Sequence, residues 1–145
     1  MYHIAILTDN NNLGHQLAEW TKCFCSGQDF YPVVELFTNS ELFFESIKKA
    51  KPDGVIVALF GVAGLNASEQ LRSLCPECGL IWCSDLDFSL QAYRLRAEYF
   101  FKAPPTNEEC CKGLSLWIKP GNLHRKKSKM FCEKRVVKIG ALNKS

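Results

Sequence analysis

The sequence predicts an α/β fold: a five-stranded, doubly wound parallel sheet of order 2-1-3-4-5 flanked by helices, followed by a basic C-terminal tail or hairpin. Three observations predict it. Five short apolar runs, each bounded by turn-forming residues, recur along the first 118 of the 145 residues. A segment with apolar residues at helical spacing separates each consecutive pair of runs. The connections are short, and right-handed crossovers between parallel strands leave few topologies, of which this order is the commonest for five strands.

The elements follow in order along the chain. His3-Ile4-Ala5-Ile6-Leu7 has the near-continuous apolar character of a strand buried on both faces of a parallel sheet, and Thr8-Asp9-Asn10 breaks it. Leu13, Leu17, Trp20 and Phe24 form one stripe of a helix that closes near Gly27. Pro32 to Phe37 reads as the second strand. Asn39 or Ser40 caps the next helix, on which Phe43, Ile47 and Ala50 share a face. Pro52-Asp53-Gly54 ends it, and Val55 to Leu59 is the third strand. A Gly-containing loop, Gly61 to Gly64, precedes a helix from about Ala67 that carries Leu71 and Leu74 inward and stops before Pro76. Leu80 to Cys83 is the fourth strand. Ser84-Asp85-Leu86-Asp87 has the composition of a capped helix start, and Phe88, Gln91, Ala92 and Leu95 continue at helical spacing. Glu98 to Phe101 is the fifth strand. Thr106 caps a last helix on which Cys110, Leu114 and Trp117 share a face, ending near Pro120-Gly121.

With 145 residues, 47% of them hydrophobic, the chain can bury one core of ordinary size. The expected division is a domain over residues 1–118 and a tail over residues 119–145. Asp9 and three Asn follow directly on Ile4 to Leu7, unlike a signal peptide. The longest nearly uncharged apolar run, Gly54 to Leu65, is about half the length needed to span a bilayer. The expectation is a soluble, cytoplasmic protein.

Eight cysteines in such a chain are expected as reduced thiols and not as a disulfide framework. Cys75-Pro76-Glu77-Cys78 has the CxxC spacing of a zinc knuckle or redox loop, and Cys23/Cys25 and Cys110/Cys111 are further close pairs. Against zinc, no second CxxC exists and the fold sets the other pairs on separate elements. Against thioredoxin-like chemistry, that motif opens a helix, whereas this one follows one. The alternative is cysteine as a small buried hydrophobe. No metal or cofactor is expected.

Charge is unevenly divided. Residues 1–118 hold nine Lys/Arg against 14 Asp/Glu, a net of −5, while residues 119–145 hold nine against one, a net of +8. A tail this basic suits nucleic acid or another acidic partner, or is simply a solvated chain end. The candidate phosphate contacts there are Arg125, Lys126, Lys127, Lys129, Lys134 and Arg135.

Ser84-Asp85, Asp87-Phe88, Gln91, Tyr93-Arg94-Leu95 and Tyr99-Phe100-Phe101-Lys102-Ala103-Pro104 resemble the fourth-helix and fifth-strand region of the response-regulator receiver family. The likeness is to receivers of Firmicutes joined to LytTR-type DNA-binding domains, and it extends over about residues 2–118. It implies a site of two acids after the first strand for Mg²⁺, an Asp after the third to accept phosphate, a Ser or Thr after the fourth and a Lys after the fifth. Asp9, Ser84 and Lys102 match it. Thr8 stands where the first acid is expected, Ala58 where the phosphate acceptor is expected, and Ala103 separates Lys102 from Pro104. Asp53 sits at the wrong end of its strand, five residues or about 16 Å from Ala58. A lone Asp9 is a poor Mg²⁺ site, since that ion usually relies on more than one carboxylate or phosphate oxygen.

The resemblance therefore implies a pseudo-receiver, with Asp9, Ser84 and Lys102 as a vestigial pocket in which Lys102 pairs with Asp9. It also implies a partner or homodimer face carrying Phe88, Tyr93, Arg94 and Tyr99, a composition suited to interface cores. In the alternative, these are half-buried packing residues and strand-end caps. Met130 to Ile139 reads as two short strands around a charged turn and resembles the opening hairpin of a LytTR-type domain, so a shortened transcription regulator is a second reading. A flavodoxin-like cofactor binder is a third, opposed by the lack of a Gly-rich loop after the first strand.

Overall fold

The computed structural model of the chain describes residues 2–118. Strands and helices alternate as β1 (His3–Thr8), α1 (Asn11–Gly27), β2 (Val33–Phe37), α2 (Ser40–Lys49), β3 (Gly54–Ala58), α3 (Val62–Leu74), β4 (Gly79–Ser84), α4 (Ser89–Arg94), β5 (Tyr99–Lys102) and α5 (Asn107–Trp117). All strand pairings are parallel, in the order β2-β1-β3-β4-β5, as the sequence predicts. The tail, with its expected hairpin and its basic residues Arg125, Lys126, Lys127, Lys129, Lys134 and Arg135, lies outside the described residues.

Alternation of side chains along the strands divides the core in two. Ala5, Leu7, Val55, Val57, Leu80 and Trp82 point to one face, where Phe43 and Ile47 of α2, Leu71 of α3 and Ala92 of α4 cover them. Ile4, Ile6, Ile56, Ala58, Ile81 and Cys83 point to the other, against Leu17 and Cys25 of α1 and Leu114 and Trp117 of α5. Every residue of β3 and β4 is buried. Each large aliphatic side chain so buried contributes roughly 1.5–3 kcal/mol relative to exposure. No helix among the described residues is long and apolar enough to cross a membrane.

Several helices depart from the expected boundaries or faces: Ala50 is the exposed C-cap of α2 and not part of its buried face, and α4 starts at Ser89, past the expected Ser84 to Asp87 entry. α3 begins at Val62, five residues before the expected Ala67, because the glycines do not all make a loop. Only Gly61 takes a left-handed φ, of 70°, whereas Gly64 lies inside the helix. A Cβ on Gly64 would stand 2.0 Å from the Leu59 carbonyl oxygen, so this glycine serves close approach of helix to strand end. On α1 the centre of the buried face is Gly14, Leu17, Thr21 and Cys25, with Leu13, Trp20 and Phe24 on its half-buried flanks. Gly14 sets that rotation, since a Cβ there would meet Leu36 Cδ1 at 2.5 Å.

The amino-end edge of the sheet is closed by three groups. Asp53 Oδ2 accepts the His3 backbone N–H at 2.8 Å, and the Asp53 carbonyl accepts the Gly79 N–H at 2.9 Å, tying β1, β3 and β4 together. Arg72, a basic residue buried at the end of α3, donates from Nε to Leu95 O at 2.6 Å, from Nη1 to Cys78 O at 2.6 Å and from Nη2 to Arg96 O at 3.0 Å. Trp117 lies across the starts of β3 and β4, where a Cβ on Gly54 would fall 1.7 Å from its Cζ2 and one on Gly79 2.5 Å from its Nε1.

Gly54→Ala is therefore expected to destabilise the protein by about 1–3 kcal/mol, the range for overpacking a core. Chemical denaturation measures it, and the double variant Gly54→Ala/Trp117→Leu should recover part of the loss. An unchanged midpoint in the single variant would show that Trp117 does not occupy this space.

Candidate functional site at the carboxyl ends of the strands

In a parallel sheet all carboxyl ends meet at one edge, where ligand sites of such folds lie. Register puts Thr8 beside Ala58 and Ser84 beside Lys102. The expected residues Asp9, Ala58, Ser84 and Lys102 are thus brought to one edge, and Asp53 stands at the opposite one. Ala58 is buried and offers no nucleophile.

Thr8 is also buried, and its Oγ1 accepts the Asn10 N–H at 3.3 Å. Asn10 caps α1 by accepting the Leu13 N–H at 3.0 Å. Asp9 between them is exposed. Thr8 and Asn10 thus shape the loop and leave the Asp9 carboxylate in solvent.

Ser84 is fully buried and both functions of its hydroxyl are engaged. It accepts the Leu86 N–H at 3.2 Å and donates to Asp85 Oδ1 at 3.3 Å. The same Asp85 oxygen accepts the Gly61 N–H at 2.8 Å, from the residue that opens α3. A carboxylate supplied by β4 therefore clasps the loop after β3, at the edge where Ala58 supplies none. Asp85 was not singled out from the sequence as a site residue. Its signal is an acid immediately after a strand-end Ser, facing a left-handed Gly across the adjacent loop.

The expected pairing of Lys102 with Asp9 does not form: among the described residues no ion pair within 4.0 Å joins them. Lys102 is exposed and acts on Asp87 instead. Hydrogen bonds from the Ser89 hydroxyl and backbone N–H hold the Asp87 carboxyl below the usual carboxylate range, and the Lys102 charge adds to this. Asp87 thus accepts the Ser89 N–H at the start of α4, while Asp9 lies on the far side of β3.

The four residues expected to share a face divide. Phe88 stacks on Trp82, with ring centroids 5.3 Å apart, and belongs to the core. Tyr99 is half-buried and its hydroxyl donates to Glu109 of α5 at 2.5 Å, a bond that pushes the phenol up to about 12. Tyr93, 82% exposed, and Arg94 face solvent. Leu90 and Tyr93 of α4 and Leu86 of the connection before it are exposed, as are Phe60 on the loop that Asp85 clasps and Val62 at the start of α3. The exposed side of α4 thus mixes apolar Leu90 and Tyr93 with polar Ser89 and Arg94, while Ala92 is buried.

The chain matches no protein-family model and no curated protein. Solved structures do match it. A response-regulator receiver domain protein from Clostridium thermocellum is 15% identical with a TM-score of 0.66, over 88% of this chain and 98% of that one. The fold is the receiver fold. Chemotaxis protein CheY4 of Vibrio cholerae is 14% identical with a TM-score of 0.64, over 81% of this chain and 99% of its own. A DNA-binding response regulator of the LuxR family from Staphylococcus aureus is 16% identical with a TM-score of 0.59, over 79% of this chain and 96% of its own. At these identities the likeness is one of fold.

Within this receiver fold, Asp85→Ala should release the Gly61 amide. Loss of one such exposed, charge-assisted bond, about 1 kcal/mol, corresponds to roughly fivefold faster amide hydrogen exchange at Gly61. Unchanged exchange there would remove Asp85 from its bridging role.

Proposed function

We propose that the chain is a pseudo-receiver, a non-catalytic module of a bacterial response-regulator system that acts in the cytoplasm by protein contact and not by accepting phosphate. One observation carries this reading: at the strand ends Ala58 supplies no acceptor, while the Ser84 hydroxyl and the Gly61 amide are already engaged by the Asp85 carboxylate. Phosphoryl transfer needs a nucleophile, a metal to offset charge and donors for the phosphoryl oxygens. The first is missing, Asp9 alone is a weak basis for the second, and an internal anion competes for the third. The module needs no cofactor and is not an enzyme in this reading. Its signal leaves through the α4 surface of Leu86, Leu90, Tyr93 and Arg94, toward a second copy or another protein. The Tyr99 to Pro104 segment supports a Firmicutes-type lineage.

Incubation with acetyl phosphate and Mg²⁺ is expected to leave the mass of the intact protein unchanged. A gain of one phosphoryl group mapped to Asp9, Asp85 or any other Asp would overturn the reading. For the α4 surface, Arg94→Glu or Leu90→Glu should weaken self-association or partner binding roughly tenfold or more with circular dichroism unchanged, the usual scale for a central interface residue. A concentration-independent monomer that binds no other protein through these residues would oppose it.

The charge partition favours a second reading, in which the tail contacts DNA as part of a shortened LytTR-type regulator. The described domain is net negative and the tail carries +8, so binding would reside in the tail and depend on salt, not on sequence. If about five phosphates are neutralised, log affinity falls against log salt with a slope of roughly −4 to −5. Binding that survives removal of residues 123–145, or a strong preference for one duplex over its scrambled copy, would assign DNA contact to the domain instead.

A further inference from the structure

At the edge of the sheet opposite the candidate site, Cys75 closes α3 and Cys78 precedes β4, with Pro76 and Glu77 forming the turn between them. A four-residue turn brings its end Cα atoms within about 7 Å, and proline suits its second position. A disulfide needs a Cα separation of about 4.4–6.8 Å. Arg72 fixes the turn: its Nη1 lies 3.4 Å from Cys75 O, 3.3 Å from Pro76 O and 2.6 Å from Cys78 O, and also 3.8 Å from Cys78 Sγ. The two thiols lie in the same core, 5% exposed each, and Cys75 is among the groups that raise the Cys78 thiol. Cys75 Sγ lies 4.0 Å from Pro52 O, in the connection before β3.

The other cysteines that lie near one another, Cys23 and Cys25 of α1 with Cys110 and Cys111 of α5, sit on helices and share no turn. Cys110 and Cys111 are chain neighbours, and Cys25, Cys83 and Cys110 are fixed on three different elements of the second core. No group of three potential ligands among the described residues is placed to hold a metal ion, so the zinc reading of the CxxC sequence finds no support there.

We propose that Cys75 and Cys78 are a reversible dithiol modification site, closing to an intramolecular disulfide at the expense of a small-molecule disulfide. In the first step one thiolate attacks a sulfur of oxidised glutathione, forming a mixed disulfide and releasing one reduced glutathione. In the second, the other thiolate attacks the protein sulfur of that mixed disulfide and releases the second. Both thiol protons pass to water or to the departing thiolates, and the two electrons lost by the cysteines reduce the glutathione disulfide. Burial, with the neighbouring Cys75 thiol adding to it, pushes the Cys78 thiol up to about 12, so the exchange is slow at neutral pH. Closure removes the Cys75 proton facing Pro52 and the Cys78 thiol beside Arg72, so it bears on the junction of α3, β3 and β4.

The test equilibrates the full-length chain with graded reduced and oxidised glutathione, quenches in acid and alkylates free thiols after denaturation. Trypsin followed by a Glu-specific protease cuts at Glu77, so residues 73–77 and 78–94 stay together only through a disulfide, and alkylation of Cys83 identifies Cys78 as the partner. The expected result is a Cys75–Cys78 link about 2 Da lighter than the dithiol. Its equilibrium constant in the native chain should be roughly tenfold above that in urea, because the fold presets the turn. The inference is overturned if Cys75 and Cys78 are both alkylated while only Cys23 and Cys111 carry glutathione. It is equally overturned if Cys75 or Cys78 links to Cys83 or Cys132, or if the native constant does not exceed that in urea.

Discussion

Burial of β3 and β4 on both faces is the constraint on which the rest of this structure depends. Their backbone groups are consumed by the parallel ladders, and their side chains alternate between two apolar cores, so uncompensated polar groups are costly inside the sheet. The charged groups gather at the edges, while inside the core Trp82 Nε1 and Ser68 Oγ are buried without a hydrogen-bond partner among the described residues. The carboxyl edge holds Asp9, Ser84, Asp85 and Lys102, and the amino edge holds Asp53, Arg72 and the CxxC turn. The two edges do different work. Asp53 and Arg72 satisfy backbone groups at the strand starts and helix ends, and the residues after β4 bind one loop to another.

At the carboxyl edge the Asp85 carboxylate bridges two connections. Asp85 accepts from the Gly61 amide and the Ser84 hydroxyl, so the β3–α3 and β4–α4 connections are joined without an added ligand. Where an external anion would have to supply such a bridge, this chain carries its own negative charge. In the proposed reading, that charge opposes an incoming phosphate at the same donors. Exposed Phe60 and Leu86 lie on the two bridged connections and exposed Val62 opens α3 beside them, so the clasp adjoins the surface proposed for protein contact.

The fold was legible because each layer left a local mark. Val55 to Leu59 is continuously apolar, as burial on two faces requires, and every strand falls within about one residue of its expected bounds. The caps were legible too: Asn39 accepts from the Leu42 N–H and Thr106 from the Glu109 N–H. What escaped notice was what depends on distance. The bond from Asp85 to Gly61 spans 24 residues, and Arg72 reaches Leu95 and Arg96 from a helical position that pattern alone reads as solvated. The start of α3 was missed because a glycine used for close packing, Gly64, has the same sequence appearance as one used for a turn. Lys102 and Asp9 stand apart because β3 and β4 lie between the strands that carry them.

The claim that an internal carboxylate has closed this site is tested most directly by adding beryllofluoride with Mg²⁺ to isotopically labelled protein and following backbone amide resonances. A closed site predicts that Gly61, Asp85 and Leu86 keep their positions at saturating reagent, and that Asp85→Ala alone moves them. Saturable shifts of these amides in the unaltered protein, centred on the ends of β3 and β4, would show that the site still takes an anion and would contradict the account.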